Sequence, residues 1–339
     1  MNLTLSFLFL TCSVILTKVF CILAQDTRLM DKPNDRSMHS TPTIRGGGVV
    51  FIGLALLGLP LLCYMTDTSI WGQLVFILCI FFLASVSFLD DLYNLSVKPR
   101  FFTQSGIALL IALVMRPEQL DFGIVTINYA FLIIPFIFFA VIWAINHFNF
   151  MDGIDGFCAA QSIFLFSAYA LLFGIMNAPF YQSFCFILIF SLLGFLFFNF
   201  PPAKLFMGDV GSASLGLISF CIALIAQQKF QIPIFYWFML NGLFLFDSTI
   251  TLVRRMINKE NWSAPHRKHA YQRLRKSGTG VTMILLGQIV LNLFFLILVL
   301  LIQEQNITFG VLWIQIGLML VIYYLIEKKF PMYPKSMSV

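Results

Sequence analysis

Residues 131–156 read FLIIPFIFFAVIWAINHFNFMDGIDG. Fifteen almost wholly apolar residues run straight into Asn146, His147, Asn149, Asp152 and Asp155. The apolar part is most of what a helix needs to cross a bilayer core, roughly 20 residues. Polar groups packed so tightly against such a run belong at a membrane edge, where they meet water, one another or an ion.

The rest of the chain repeats this pattern. Of 339 residues, 60% are hydrophobic and 11% charged, and the mean hydropathy is +0.91. An ordinary soluble domain has roughly 45–50% apolar and about 25% charged residues. Eleven apolar runs follow, at 3–24, 47–66, 71–89, 101–115, 130–146, 157–175, 181–199, 212–228, 232–253, 281–302 and 308–326. Runs of this length exclude a membrane barrel, whose strands alternate over about ten residues. The expected fold is all-α: a polytopic integral membrane protein of about eleven transmembrane helices, forming a single domain over 1–339. The first run lacks a basic flank before it and is read as a retained helix, not a cleaved signal peptide.

Charge sets the expected orientation. With the inter-helix stretches labelled alternately, 18 of the 21 Lys and Arg residues fall on one side, in 25–46, 90–100, 199–210, 254–280 and the tail, together with the 146–156 loop. Arg116 and Lys229 fall on the other, and Lys18 lies inside the first run. The positive-inside rule then predicts an external N-terminus and a cytoplasmic C-terminus. The seven cysteines lie in or beside apolar runs with no CxxC pair, as small buried hydrophobes do.

Five acids, Asp90, Asp91, Asp152, Asp155 and Asp209, sit where helices meet the basic side, and they come from three separate stretches. A lone Asp at such a place ends its helix in hydrated headgroups; three clusters converging on one interface call for a partner, be it a cavity, one another or an ion. FLDDLYNLSVKPR, 88–100, pairs two adjacent acids with Arg100, a guanidinium suited to a phosphate. FMGDVGSASLG, 206–216, sets Asp209 between Gly208 and Gly211, with Ser212 as expected cap of the next helix and Lys204 just upstream. Free amides at that helix start would favour an anion and the carboxylate a divalent cation bridging to it. SMHSTPTIRGGGVV, 37–50, carries three glycines that suit either a substrate or a closely packed helix. NWSAPHRKHAYQRLRK, 261–276, gathers His266, Arg267 and His269 among further cations, a diphosphate-binding or lipid-headgroup-binding loop. His147 reads as structural. Asp247, the acid inside a run, reads as a partner of Arg254 or Arg255, the alternative being a proton or ion site at mid-membrane.

In order along the chain, DD…R, NxxNxxDGIDG, NFPPAKxFMGDVGS and HRxHxYQ resemble the motifs of the polyprenyl-phosphate N-acetylhexosamine-1-phosphate transferases of bacterial envelopes, glycosyltransferase family 4, over roughly His39 to Gln272. The resemblance implies transfer of a sugar 1-phosphate from a UDP-N-acetylhexosamine to undecaprenyl phosphate, releasing UMP, in the bacterial inner membrane with the active site facing the cytoplasm. It implies Mg²⁺, with Mn²⁺ as an alternative, held by Asn149 and Asp209. Asp90, Asp91, Asp152 and Asp155 would be catalytic. Arg45, Arg100, Lys204, His266, Arg267 and His269 would bind substrate. A homodimer is compatible with it, and nucleic acid has no place in it. HRKHAYQ lacks the three adjacent histidines of the peptidoglycan pentapeptide branch, which directs the expectation to O-antigen or other surface polysaccharides. The competing classes are a transporter or flippase, whose polar sites belong near mid-membrane, and a noncatalytic scaffold, which would not need every motif intact.

Overall fold

A single helix, Gly208–Phe230, organises the molecule: 94% of its apolar window is enclosed by protein, against 17–67% for the other candidate spans. The computed structural model describes residues 3–31, 41–123, 125–261, 264, 266–305 and 309–333. Lys32, Arg36 and Lys335 of the basic tally, residues 37–40 of the glycine-bearing stretch, and Trp262, Ser263 and Pro265 lie outside them.

Thirteen α-helices are present among these residues. They are α1 (Leu3–Leu23), α2 (Gly48–Met65), α3 (Leu74–Tyr93), α4 (Val97–Val114), α5 (Ala130–Met151), α6 (Phe157–Ile175), α7 (Pro179–Asn199), α8 (Gly208–Phe230), α9 (Phe235–Leu240), α10 (Gly242–Ile257), α11 (Ala270–Lys276), α12 (Val281–Gln305) and α13 (Phe309–Lys329). Strands are confined to two-residue antiparallel pairs, β1 (Met30–Asp31) with β2 (Thr43–Ile44) and β3 (Leu120–Asp121) with β4 (Thr126–Ile127). The protein is therefore an all-α, multi-pass membrane protein, with outward apolar side chains such as Leu57, Phe131 and Phe197 more than 70% exposed for lipid to cover.

The central helix is enclosed because its small residues let neighbours approach. A Cβ on Gly48 of α2 would strike the backbone of Gly211, and one on Gly216 would strike the carbonyl of Ala144 on α5. The glycines at 46–48 thus serve close packing, with Gly46 also at φ +87° where the chain turns into α2. α3 and α6 pack on α8 as well, while α1 lies against α7 and α2. Beyond α6, α12 meets α9 and α10, and α13 meets α11 and α12.

One expected span differs. Ten helices are long and apolar enough to cross a membrane among the described residues, and 232–253 is not one of them. It is divided into α9 and α10 at Asn241–Gly242. Asn241 is wholly buried, its side-chain amide 2.5 Å from His147 Nε2 and its Oδ1 accepting from Gln161 Nε2 (3.3 Å). Gly242 leaves space that a Cβ would deny to the Gln315 amide. Beyond this break α10 is amphipathic, with Asp247, Ser248, Thr251 and Arg255 buried and Val253, Met256 and Ile257 exposed.

Candidate active site

The mouth of α5 opens into a cleft of about 640 Å³ whose wall includes Asn149, Asp152 and Asp155. Asp91, at the end of α3, and Asp209, in the first turn of α8, complete a set of acids from three stretches. Arg45 enters from the segment after β2. That segment is pinned beside the entry to α8: Phe206 N donates to Ile44 O (2.8 Å), Gly47 N to Phe206 O (3.0 Å) and Gly48 N to Met207 O (2.8 Å). Its alternation places Thr41, Thr43 and Arg45 on the cleft and Ile44 in the core, as an extended chain does with every second side chain.

The two adjacent acids of α3 have different tasks. Asp91 accepts the backbone N–H of Asp209 at Oδ1 (3.1 Å) and that of Val210 at Oδ2 (3.1 Å). It caps α8 from another helix, so these amides are already taken by an internal carboxylate. Ser212, expected as the cap, lies one turn inside α8 and donates to Gly208 O (3.2 Å), because the helix begins at Gly208. A Cβ on Gly208 would collide with the Asp91 carboxylate, and φ at that residue is +70°. Asp90 turns to Arg100, which donates to it at 2.9 Å and to Asp209 at 3.4 Å. Arg45 donates to Asp91 O (2.5 Å) and Asn94 Oδ1 (2.8 Å).

The NFPPAK turn forms the facing wall. Asn199 Oδ1 accepts from Gly156 N (3.0 Å) and its amide donates to Leu205 O (2.8 Å), while Asp155 accepts from Ala203 N (3.0 Å). Together these bonds fix the DGIDG loop against 199–205. Burial, then the neighbouring acids Asp209, Asp91 and Asp155, pushes the Asp152 carboxyl up to about 8. Carboxylates gathered this closely lack positive charge.

The segment carrying these acids decides the kinship. Residues 73–227, from the start of α3 to near the end of α8, match the family described as Glycosyl transferase family 4. A probable undecaprenyl-phosphate N-acetylglucosaminyl 1-phosphate transferase of Bacillus subtilis (strain 168) is 31% identical over 277 residues, covering 78% of this chain and 75% of that protein. The chain belongs to glycosyl transferase family 4. An undecaprenyl-phosphate alpha-N-acetylglucosaminyl 1-phosphate transferase of Thermotoga maritima is 28% identical over 275 residues, 81% of this chain and 82% of that protein. A phospho-N-acetylmuramoyl-pentapeptide-transferase of Staphylococcus haemolyticus is 31% identical over 212 residues, 58% of this chain and 66% of that protein.

Outside the matched segment, this family 4 member arranges HRKHAYQRLRK differently from its linear reading. Asp247, expected to pair with Arg254 or Arg255, instead caps α11: it accepts from Ala270 N (2.8 Å), Tyr271 N (3.3 Å) and Thr251 Oγ1 (3.1 Å). Arg254 pairs with Glu327 (2.6 Å) and Arg255 with Glu260 (3.0 Å). His269 is buried beside Asp247, Nδ1 to Oδ1 3.7 Å, and forms a reciprocal cap with Gln272. The His266 ring lies tilted against it, 4.9 Å between ring centres. Neither histidine lines the cleft, and Arg267 lines a separate pocket against the end of α13. Lys204 is exposed and outside the cleft wall. What α11 brings to the cleft is Gln272 and Arg275. Sequence reasoning passed over both, although their i, i+3 spacing is the signal of one helix face. Tyr271 holds α11 to the loop, donating to Phe150 O (3.1 Å), and the absent Cβ of Gly153 leaves room for its hydroxyl.

Proposed function

We propose that this protein transfers an N-acetylhexosamine 1-phosphate from a UDP-sugar to undecaprenyl phosphate, releasing UMP. The observation that carries the reading is the convergence of Asp91, Asn149, Asp152, Asp155 and Asp209 on one cleft at the membrane edge, in a chain whose family relatives are named for this chemistry. A lipid phosphate and a water-soluble diphosphate can meet only at such an edge.

Mg²⁺ fits the donor set. No three His, Cys, Asp or Glu side chains close on one point among the described residues. Mg²⁺ does not ask for this: it takes one or two carboxylates and completes its shell with water and substrate phosphates. Asn149 and Asp209 supply a neutral and an anionic oxygen on one wall, and the mutual repulsion felt at Asp152 is what a divalent cation relieves. Bound there, the ion would neutralise diphosphate charge.

The chain's own residues do the rest by position and charge. Asp91 acts as a positioning residue, since both its oxygens hold the start of α8 and thereby aim Asp209. Asp90 orients Arg100 toward Asp209, where the guanidinium can meet a phosphate oxygen. A phosphate monoester loses its second proton with a pKa of about 6, so the acceptor oxygen needs little general-base help near neutral pH. That oxygen attacks the phosphorus bearing the sugar, and the bond to UMP breaks. Asp152 and Asp155, on a loop fixed by Asn199, flank the nucleotide-sugar.

We further assign the cleft to the cytoplasmic face of a bacterial inner membrane, in agreement with the placement of basic residues. The HRKHAYQ motif favours the surface-polysaccharide branch, O-antigen included, with GlcNAc or a deoxy-N-acetylhexosamine as the sugar. Purified protein incubated with undecaprenyl phosphate, Mg²⁺ and a panel of radiolabelled UDP-sugars should yield lipid-linked product and UMP from at least one of them. Folded protein that makes no product from any sugar overturns the assignment.

A further inference from the structure

The basic segment that follows α10 is divided between two flanks of α11. Successive residues of a helix are turned by about 100°. Gln272 and Arg275 therefore share the flank that lines the cleft, while Arg273 and Lys276 share the adjoining one. That second flank lines a separate pocket of about 410 Å³, to which Arg267 and Lys268 contribute from the preceding loop and Phe330 and Met332 from the chain after α13.

We propose that this α11–α13 pocket binds the phosphodiester of an anionic phospholipid from the leaflet that borders the cleft.

Charge is the first argument. Among the described residues, six cations, Arg254, Arg255, Arg267, Lys268, Arg273 and Lys276, gather around two carboxylates. Glu327 already serves Arg254 and Arg273 (2.6 Å each), and Glu260 serves Arg255 (3.0 Å) and Lys268. Six cations against two carboxylates give this part of the described structure a positive excess. Lys276 registers it: burial and then the charge of Arg267 lower its affinity for a proton. Arg273 is 7% exposed, and its Nε and Nη2 have no hydrogen-bond acceptor among the described residues. A buried cation with donors to spare strengthens the field on any anion that enters.

Shape selects a lipid. The basic pocket shares Ser277 and Phe330 with a second recess of about 490 Å³, walled by Leu274, Leu325 and Ile326. Leu325 and Val321, one turn apart on α13, are 57% and 56% exposed and continue an apolar surface along that membrane-spanning helix. Cations at the helix end, with an apolar track leading away, match a headgroup phosphate followed by acyl chains. The site is distinct from the cleft and does not depend on the reaction assigned to it.

The test is a titration of the full-length protein in neutral detergent with dioctanoyl phosphatidylglycerol, dioctanoyl phosphatidylcholine and glycerol 3-phosphate. Phosphatidylglycerol should bind in preference to the other two. Arg267→Gln with Lys276→Gln should weaken it roughly 10- to 30-fold, about a factor of three to five for each cation removed. Arg275→Gln, the loss of one charge on the cleft flank, should leave that binding unchanged. A loss of about 3-fold or more in Arg275→Gln, the share one charge would carry, reduces the effect to overall charge and overturns the site. Equal binding of glycerol 3-phosphate makes it a free-phosphate site, and displacement of the lipid by UDP assigns these residues to the cleft. Either result overturns the proposal.

Discussion

Replacing Asp91 with Asn keeps the side chain's shape and removes its charge and one of its two acceptor oxygens. In the native protein those oxygens receive the backbone N–H groups of Asp209 and Val210, both at 3.1 Å, with Asp91 only 3% exposed. Asn can serve one of these amides and must turn its own NH₂ donor toward the other. A hydrogen bond to a charged group contributes about 1.5–3 kcal/mol, so the first turn of α8 should open roughly 10- to 100-fold more often. Hydrogen exchange followed by mass spectrometry, on a peptide spanning 206–215, reads this directly and needs no substrate. Exchange should accelerate by that factor at Asp209 and Val210 and stay unchanged in the buried stretch Ser219–Ala226. Asp91→Ala, which leaves both amides without an acceptor, should exceed the Asn effect. Unchanged exchange at 209–210 in both variants would refute the cap and return Asp91 to the chemistry of the cleft.

Three other expectations can be checked alongside it. Gly153→Ala places a methyl group against the Tyr271 hydroxyl and 3.2 Å from Gln272 Nε2. It should lower the thermal midpoint of the purified protein by a few degrees, and adding Tyr271→Phe should recover part of that loss; no recovery removes the clash as its cause. Asp209→Asn and Asp90→Asn should each cut sugar-phosphate transfer by orders of magnitude while expression holds, and near-native turnover in either takes that residue out of the mechanism. Burial and then the charges of His269 and Arg255 depress His266 to about 3, from an unfolded value near 6.5. The unfolded chain therefore binds this proton first on acidification, and the contribution of His266 to stability falls as pH drops below 6.5, against the opposite trend of the raised Asp152 carboxyl. Glu260, lowered to about 2 by its Lys268 and Arg255 partners against the opposing effect of burial, adds its own loss only below about 4.5. Thermal midpoints between pH 6.5 and 4.5 should fall less steeply in His266→Gln than in the native protein; parallel slopes would contradict the burial of this imidazole.

Membrane class and span positions were legible because each apolar run is set by one number, the bilayer thickness, and needs no knowledge of its neighbours. The run at 232–253 failed that rule because its break depends on distant partners: Asn241 is held by His147 and Gln161, and Gly242 is crowded by Gln315. The acids at helix ends were legible as a cluster, since hydrophobic surroundings make a carboxylate conspicuous. Their separate tasks were not, because Asp90 and Asp91 differ only in which neighbouring element each one reaches. His266, Arg267 and His269 stand out in a sequence as Gln272 and Arg275 do not, yet the rotation of a seven-residue helix puts the latter pair on the cleft.

The same device appears twice in the construction of that cleft. Asp91 at the end of α3 caps α8, and Asp247 within α10 caps α11. Each carboxylate accepts two amides of a helix to which it does not belong, and each capped helix presents polar side chains to the cleft, Asp209 from one and Gln272 with Arg275 from the other. A helix start held in this way has lost the freedom to fray, which is the freedom that would blur the position of a side chain in its first turns. The buried acid of α10 thereby acquires a reason that a mid-membrane ion site does not supply. It also ties the broken ninth span to the cleft: the α9–α10 break sets where Asp247 sits, Asp247 sets where α11 begins, and α11 sets which cations face the cleft and which face the pocket beside α13.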